Sequence, residues 1–257
     1  MKFLCKRGGS SGASSRGGGG SAAAAQQATT PSGVSYDQFL HMTDDEKYAL
    51  MDKIVDDASI VVPDYLDDSP TSKIIYALGM NNKPTVVSDS ALDKIAGSDI
   101  FRTVSDTDNP PPFAKDILDQ IRTSDYTQLS NSGGSTHGRA IYFADDFWGS
   151  QKYAKDYHSL MMRAKVKPNA KVLPETTLKT MMDNDKSFNG SKFGTLTTDN
   201  IALYAFSHGI DGWKYTKGST SYTMIINRGA LTVSSTSKGL FDSSGMETDD
   251  WASSPNA

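Results

Sequence analysis

The chain holds one cysteine, Cys5, among 257 residues, which excludes an intrachain disulfide framework. Histidine is scarce too. Four of them, at positions 41, 137, 158 and 208, show no Cys/His spacing of the kind that ligates zinc. Long apolar runs are missing: Ala22–Ala25 and Ile201–Phe206 fall far short of the roughly 18 to 20 residues that span a bilayer. Behind the basic start, Met1 to Arg7, comes Gly and Ser instead of an apolar stretch, so a secretory signal is not expected. An excess of positive charge is also absent, the formal net charge being −4. A dedicated nucleic-acid binder would carry a basic stripe to neutralise phosphates, so a nucleic-acid partner is not indicated.

The charge that is present is unevenly spread. Residues 1–33 carry four basic side chains and no acid, whereas residues 34–99 hold 13 Asp/Glu against 5 Lys. The remainder is balanced. Residues 1–33 are mostly Gly, Ser, Ala, Gln and Thr, too poor in apolar area to offset the entropy of ordering, and read as a disordered tail. Residues 34–98 read as an acidic helical region. Tyr36, Phe39 and Leu40 recur at helical spacing, and Thr43 with Glu46 three residues on forms a capping-box pattern opening a helix at 47–57. Two further helices are expected at 72–78 and 90–95, with the acids on outer, solvated faces.

From residue 99 the texture becomes strand-like. Strands are expected at 100–104 and 139–143, over 161–173 with an interruption at Pro168, and at 211–214, 221–227 and 230–233. Helices are expected at 114–122, 149–157, 176–184 and 198–208. The fold class is therefore α+β, with residues 99–257 as the second domain.

One stretch carries chemistry. Gly138-Arg139-Ala140-Ile141-Tyr142-Phe143-Ala144-Asp145 is followed by Ser150 and by Tyr153, eleven residues after Tyr142. A strand end and the next helix can then offer two aromatic faces to one flat cationic ring, with a hydroxyl at its rim. This segment resembles the nicotinamide-binding segment of ADP-ribosyltransferases of the poly(ADP-ribose) polymerase and diphtheria-toxin type. The resemblance runs in order over about residues 99–233. It implies an ADP-ribosyltransferase-like split antiparallel sheet with flanking helices, NAD as substrate, and nicotinamide as leaving group. It implies roles residue by residue. Tyr142 and Tyr153 stack on nicotinamide, Ser150 and the backbone of Thr103 meet its carboxamide, and Arg102 anchors the dinucleotide phosphates. Ile225 to Leu231 is similar to a strand of phage-encoded members, which would place the protein in a host cytoplasm or on a virion.

The family's catalytic Glu has no counterpart: Thr223 stands at the aligned position, and no acid occurs between Asp211 and Asp242. Glu175 and Glu247 are distant substitutes, or ordinary surface acids. The implied activity is mono-ADP-ribosylation of a macromolecular acceptor, a protein. The alternatives are a non-catalytic NAD- or nucleotide-binding module and a phage structural or interaction protein on the same fold.

Overall fold

Local sequence explains how the helical layer starts. In the computed structural model, which describes residues 30–62, 69–80, 83–104, 118, 139–154, 159–196 and 199–239, both first helices open on complete capping boxes. Ser35 and Gln38 cap α1 (Tyr36–Leu40); Thr43 and Glu46 cap α2 (Asp44–Asp56). Each box satisfies amides that no intrahelical carbonyl can reach. Ser69 caps α3 (Pro70–Ala77), where Pro70 stands at a position needing no amide donor, and Ser88 caps the short α4 (Asp89–Leu92). The chain is held slightly earlier than composition predicts. The Ser32 amide and hydroxyl both donate to the Ala77 carbonyl, at 3.0 and 2.7 Å.

Eight strands form one mixed sheet: β1 (Thr85–Val87), β2 (Asp99–Val104), β3 (Ile141–Ala144), β4 (Leu160–Val166), β5 (Val172–Pro174), β6 (Gly212–Lys217), β7 (Thr220–Ile225) and β8 (Leu231–Gly239). Their order is β1-β8-β4-β2-β3-β7-β6-β5. The two outer pairs, β1–β8 and β5–β6, are parallel; the pairs between them are antiparallel. The 161–173 stretch is not one interrupted strand. Its halves are β4, in the middle of the sheet, and β5, on the far edge beside β6. The remaining helices are α5 (Phe147–Gln151), α6 (Glu175–Asn184), α7 (Lys186–Gly190) and α8 (Asn200–Ser207). The helix expected at 149–157 thus starts earlier and ends at Gln151, leaving Tyr153 just beyond it. Of the helix expected at 114–122 only Leu118, helical and buried, is among the described residues.

Strand alternation gives the sheet two different faces. On one, Ala140, Met224, Ile226 and Trp213 share a continuous core with α1–α3 and α6–α8, through Phe39, Met51, Ile54, Phe188 and Phe206. On the other, Ile100, Val104, Ile141, Phe143, Met162, Ile225 and Val233 pack with Leu118. The described acids of the helical region are mostly solvated, as expected; Asp99, which opens β2, is not. It is buried on β2 and accepts from Arg163 Nε at 2.8 Å, with Lys165 Nζ 3.6 Å from its other oxygen. A buried carboxylate needs such partners to stay charged.

Candidate functional site

The sheet is thinnest between β2 and β3, where Phe101–Ala144 is the one register pair among the described residues. The residues of the resemblance gather around this junction, but not on one side of it. Thr103 pairs with Met161, which packs with Phe101 and Phe147 under α5. Its hydroxyl lies 2.9 Å from that of Ser150, which α5 holds fully buried. Asp146 positions this helix by accepting the Gly149 amide at 2.6 Å. Gly149 has no side chain for a packing reason: a Cβ there would stand 2.6 Å from Thr220 Cγ2.

Tyr142 lies on the same face as the hydroxyl pair, since its register partner Met224 belongs to the helix-covered core. It is half-buried, and its phenol is pushed up to about 12 by burial first, then by the nearby Glu175 carboxylate and by Tyr153. Tyr153 is 55% exposed, so its ring offers a free face. Its ring meets Tyr222 edge-on, with centroids 6.4 Å apart. Burial, then a hydrogen bond with Tyr153, raises the Tyr222 phenol to about 12 as well. Tyr142, Tyr153, Tyr222, Ser150 and Thr103 thus form one tyrosine-and-hydroxyl patch.

Arg102 and Thr223 belong to the opposite face. Arg102 pairs with Met162 and Thr223 with Phe143, both members of the second core. The Thr223 hydroxyl donates to Asp145 Oδ1 at 2.6 Å, and Lys214 donates to Asp145 Oδ2 at 2.9 Å. Asp145 therefore works as a clamp between β3, β6 and β7. Arg102 lies at the thin junction, where its Nη1 donates to the Tyr142 carbonyl at 3.0 Å. A side chain there supplements a ladder that has almost parted. Burial pulls the guanidinium down to about 10, so it remains cationic at neutral pH.

One residue of the patch escaped the sequence, and one acid named there takes a different place from the surface. Tyr222, not Thr223, is the β7 residue that faces the tyrosines, because its register partner is Ala144, which also pairs with Phe101. Only the pairing of β3 with β7 reveals this. Glu175 is not a surface acid: it is 5% exposed at the first turn of α6, ion-paired with Lys179 at 2.6 Å and close enough to Tyr142 to raise it. Gly138, His137 and Glu247 lie outside the described residues. No helix of the described residues is long and apolar enough to cross a membrane. No family model, no curated protein and no solved structure matches the chain.

Proposed function

We propose that the tyrosine patch binds the nicotinamide end of NAD and that the chain transfers a single ADP-ribose to a macromolecular acceptor, a protein. The observation that carries this reading is the hydroxyl pair of Thr103 and Ser150, 2.9 Å apart, on the face that also presents Tyr142 and Tyr153. Either hydroxyl can turn to donate or accept, which suits a carboxamide carrying both a C=O and an NH2. Two phenol rings with negative faces suit a flat cation. The near-parting of β2 from β3 at this point accords with the split sheet that the resemblance implies.

In the reaction the bond between ribose C1′ and the ring nitrogen breaks, and its electron pair leaves with nicotinamide. The acceptor's nucleophilic atom then bonds to C1′ and loses its proton. Positive charge grows at the ribose, so a carboxylate nearby lowers the barrier. Thr223 is a poor source of that help, its hydroxyl being committed to Asp145 on the other face. Glu175, beside Tyr142, is the acid this reading assigns. For Arg102 to hold pyrophosphate it must exchange its bond to the Tyr142 carbonyl for a ligand oxygen.

Calorimetry of the full chain with nicotinamide and with NAD tests the site. Tyr153→Ala removes an exposed stacking face and is expected to weaken both ligands by about 1 kcal/mol. Absence of nicotinamide binding by wild type, or unchanged affinity in the variant, overturns the assignment. A second reading, a non-catalytic NAD-binding module, is favoured by one observation: the β7 residue facing the tyrosines is Tyr222, not an acid. Transfer of labelled ADP-ribose to lysate protein, lost in Glu175→Gln, separates the enzyme from the module.

A further inference from the structure

A second cluster lies where the N-terminal helices meet the helices of the sheet-bearing part. Asp44 is the first residue of α2, Asp185 joins α6 to α7, and His208 ends α8. One ligand atom from each, a carboxylate oxygen or a ring nitrogen, lies within 4.8 Å of the others. The His208 Nε2 is 3.7 Å from Asp185 Oδ2.

The surroundings of these atoms are those of a cation site. His208 Nδ1 lies 2.9 Å from the Tyr204 carbonyl, a group that can only accept. The Ser207 hydroxyl lies 3.0 Å from the same nitrogen, so Nδ1 is engaged by its own helix and Nε2 is the ring nitrogen directed toward Asp185. A ligand histidine is oriented by such a second bond. The ring is fixed further by the Tyr204 phenol ring, 4.1 Å away between centroids. Asp185 is held by the Phe188 amide on Oδ1 at 2.9 Å and the Tyr48 hydroxyl on Oδ2 at 3.1 Å, so neither carboxylate oxygen is free to swing away.

The charge points the same way. Lys47, 3.3 Å from Asp44 Oδ1, offsets one of the two acids, and the other faces the His208 ring. His208 also caps the C-terminus of α8, where unpaired carbonyls add partial negative charge, while Asp185 stands between the C-terminus of α6 and the N-terminus of α7. One nitrogen and two oxygen ligands suit a divalent first-row transition ion better than magnesium, which prefers oxygen alone. We propose that Asp44, Asp185 and His208 bind such an ion, zinc in the first instance, with a fourth position open to water. The ion pins α2 to α7 and α8, three segments more than 20 residues apart in sequence. The site is independent of NAD binding.

The test uses the full chain stripped with EDTA. Calorimetric titration with zinc is expected to show one equivalent bound by wild type and lost in His208→Gln and in Asp44→Asn. Asp44 is exposed, so the second variant is expected to fold even if the first does not. At about a hundred times its dissociation constant, zinc should raise the wild-type melting temperature by about 5 to 11 °C. Magnesium should leave it unchanged. Cobalt should give a visible d–d band that both variants abolish. Absence of zinc uptake by wild type leaves an ion-free hydrogen-bonded cluster and overturns the proposal. So do equal uptake and equal stabilisation in the variants, which would place the metal elsewhere, as at Cys5 or His41.

Discussion

The two faces of β3 differ by one residue in sequence and by almost everything in chemistry. Tyr142 packs against the helix-covered core, within electrostatic reach of the buried Glu175 and the half-exposed Tyr153; Ile141 and Phe143 look into an aliphatic core. The neighbouring strands repeat the contrast, with Thr103 against Arg102 on β2 and Tyr222 against Thr223 on β7. A strand with period two cannot put adjacent side chains on one side, so a site drawn from consecutive residues is always divided. Arg102 partly escapes this rule by reaching the β2–β3 junction, where it donates to the Tyr142 carbonyl beside the Phe101–Ala144 pair.

The strongest way to break the comparison is to place the same carboxylate on each face. Thr223→Glu buries a charge at a fully enclosed position beside Asp145, and should cost about 3 kcal/mol or more of stability in a denaturant melt. It should not increase nicotinamide release. Tyr222→Glu, one residue away on the patch, should cost about 1 kcal/mol and raise NAD hydrolysis on the order of tenfold. The reverse pattern would mean that β7 is registered one residue differently.

A smaller effect is expected at the junction. Arg102→Met removes one hydrogen bond but also a desolvated charge, so stability should change by about 1 kcal/mol or less. NAD should weaken much more than nicotinamide alone, since only the dinucleotide carries phosphates. Equal loss for both would make Arg102 a structural tie between β2 and β3.

The finest test is a pH titration of the tyrosine face. Tyr142 is pushed up to about 12 in the folded chain, against the ordinary phenol value near 10. The folded state therefore holds this proton longer than the unfolded state. The corresponding stability is fully present below about pH 10 and is lost as pH rises toward 12. Glu175→Gln removes one of the causes, so a tyrosinate absorbance titration should show one phenol ionising at lower pH. No change would separate Glu175 from the patch.

How much of this was legible in the sequence depended on the reach of each signal. The capping box at Thr43–Glu46 could be read because both partners lie within three residues; the equally local box at Ser35–Gln38 went unread, its Gln a weaker signal than a Glu. The Tyr142, Ser150 and Tyr153 spacing was legible for a related reason: one strand and one short helix bring them together locally. Thr223 was aligned to the wrong side for this purpose because faces depend on pairing with β3, some 80 residues earlier. Glu175 looked like a surface acid because nothing nearby in sequence reports that β5 is carried to the far edge of the sheet, where Glu175 is buried within electrostatic reach of Tyr142. His208 gave no metal signal, since its carboxylate neighbours come from α2 and the α6–α7 junction instead of a regular spacing.

Composition and short-range pattern alone determined that the chain mixes helices with strands and that Thr43 caps a helix, and set the spacing of Tyr142, Ser150 and Tyr153. Those properties arise from contacts a few residues long, or from apolar area summed over a segment. Only the tertiary structure decided which side of the sheet each residue faces, that β2 and β3 nearly part, and that Glu175 is buried beside Tyr142. Such outcomes rest on register between distant strands, where a slip of one residue exchanges the two faces of the sheet.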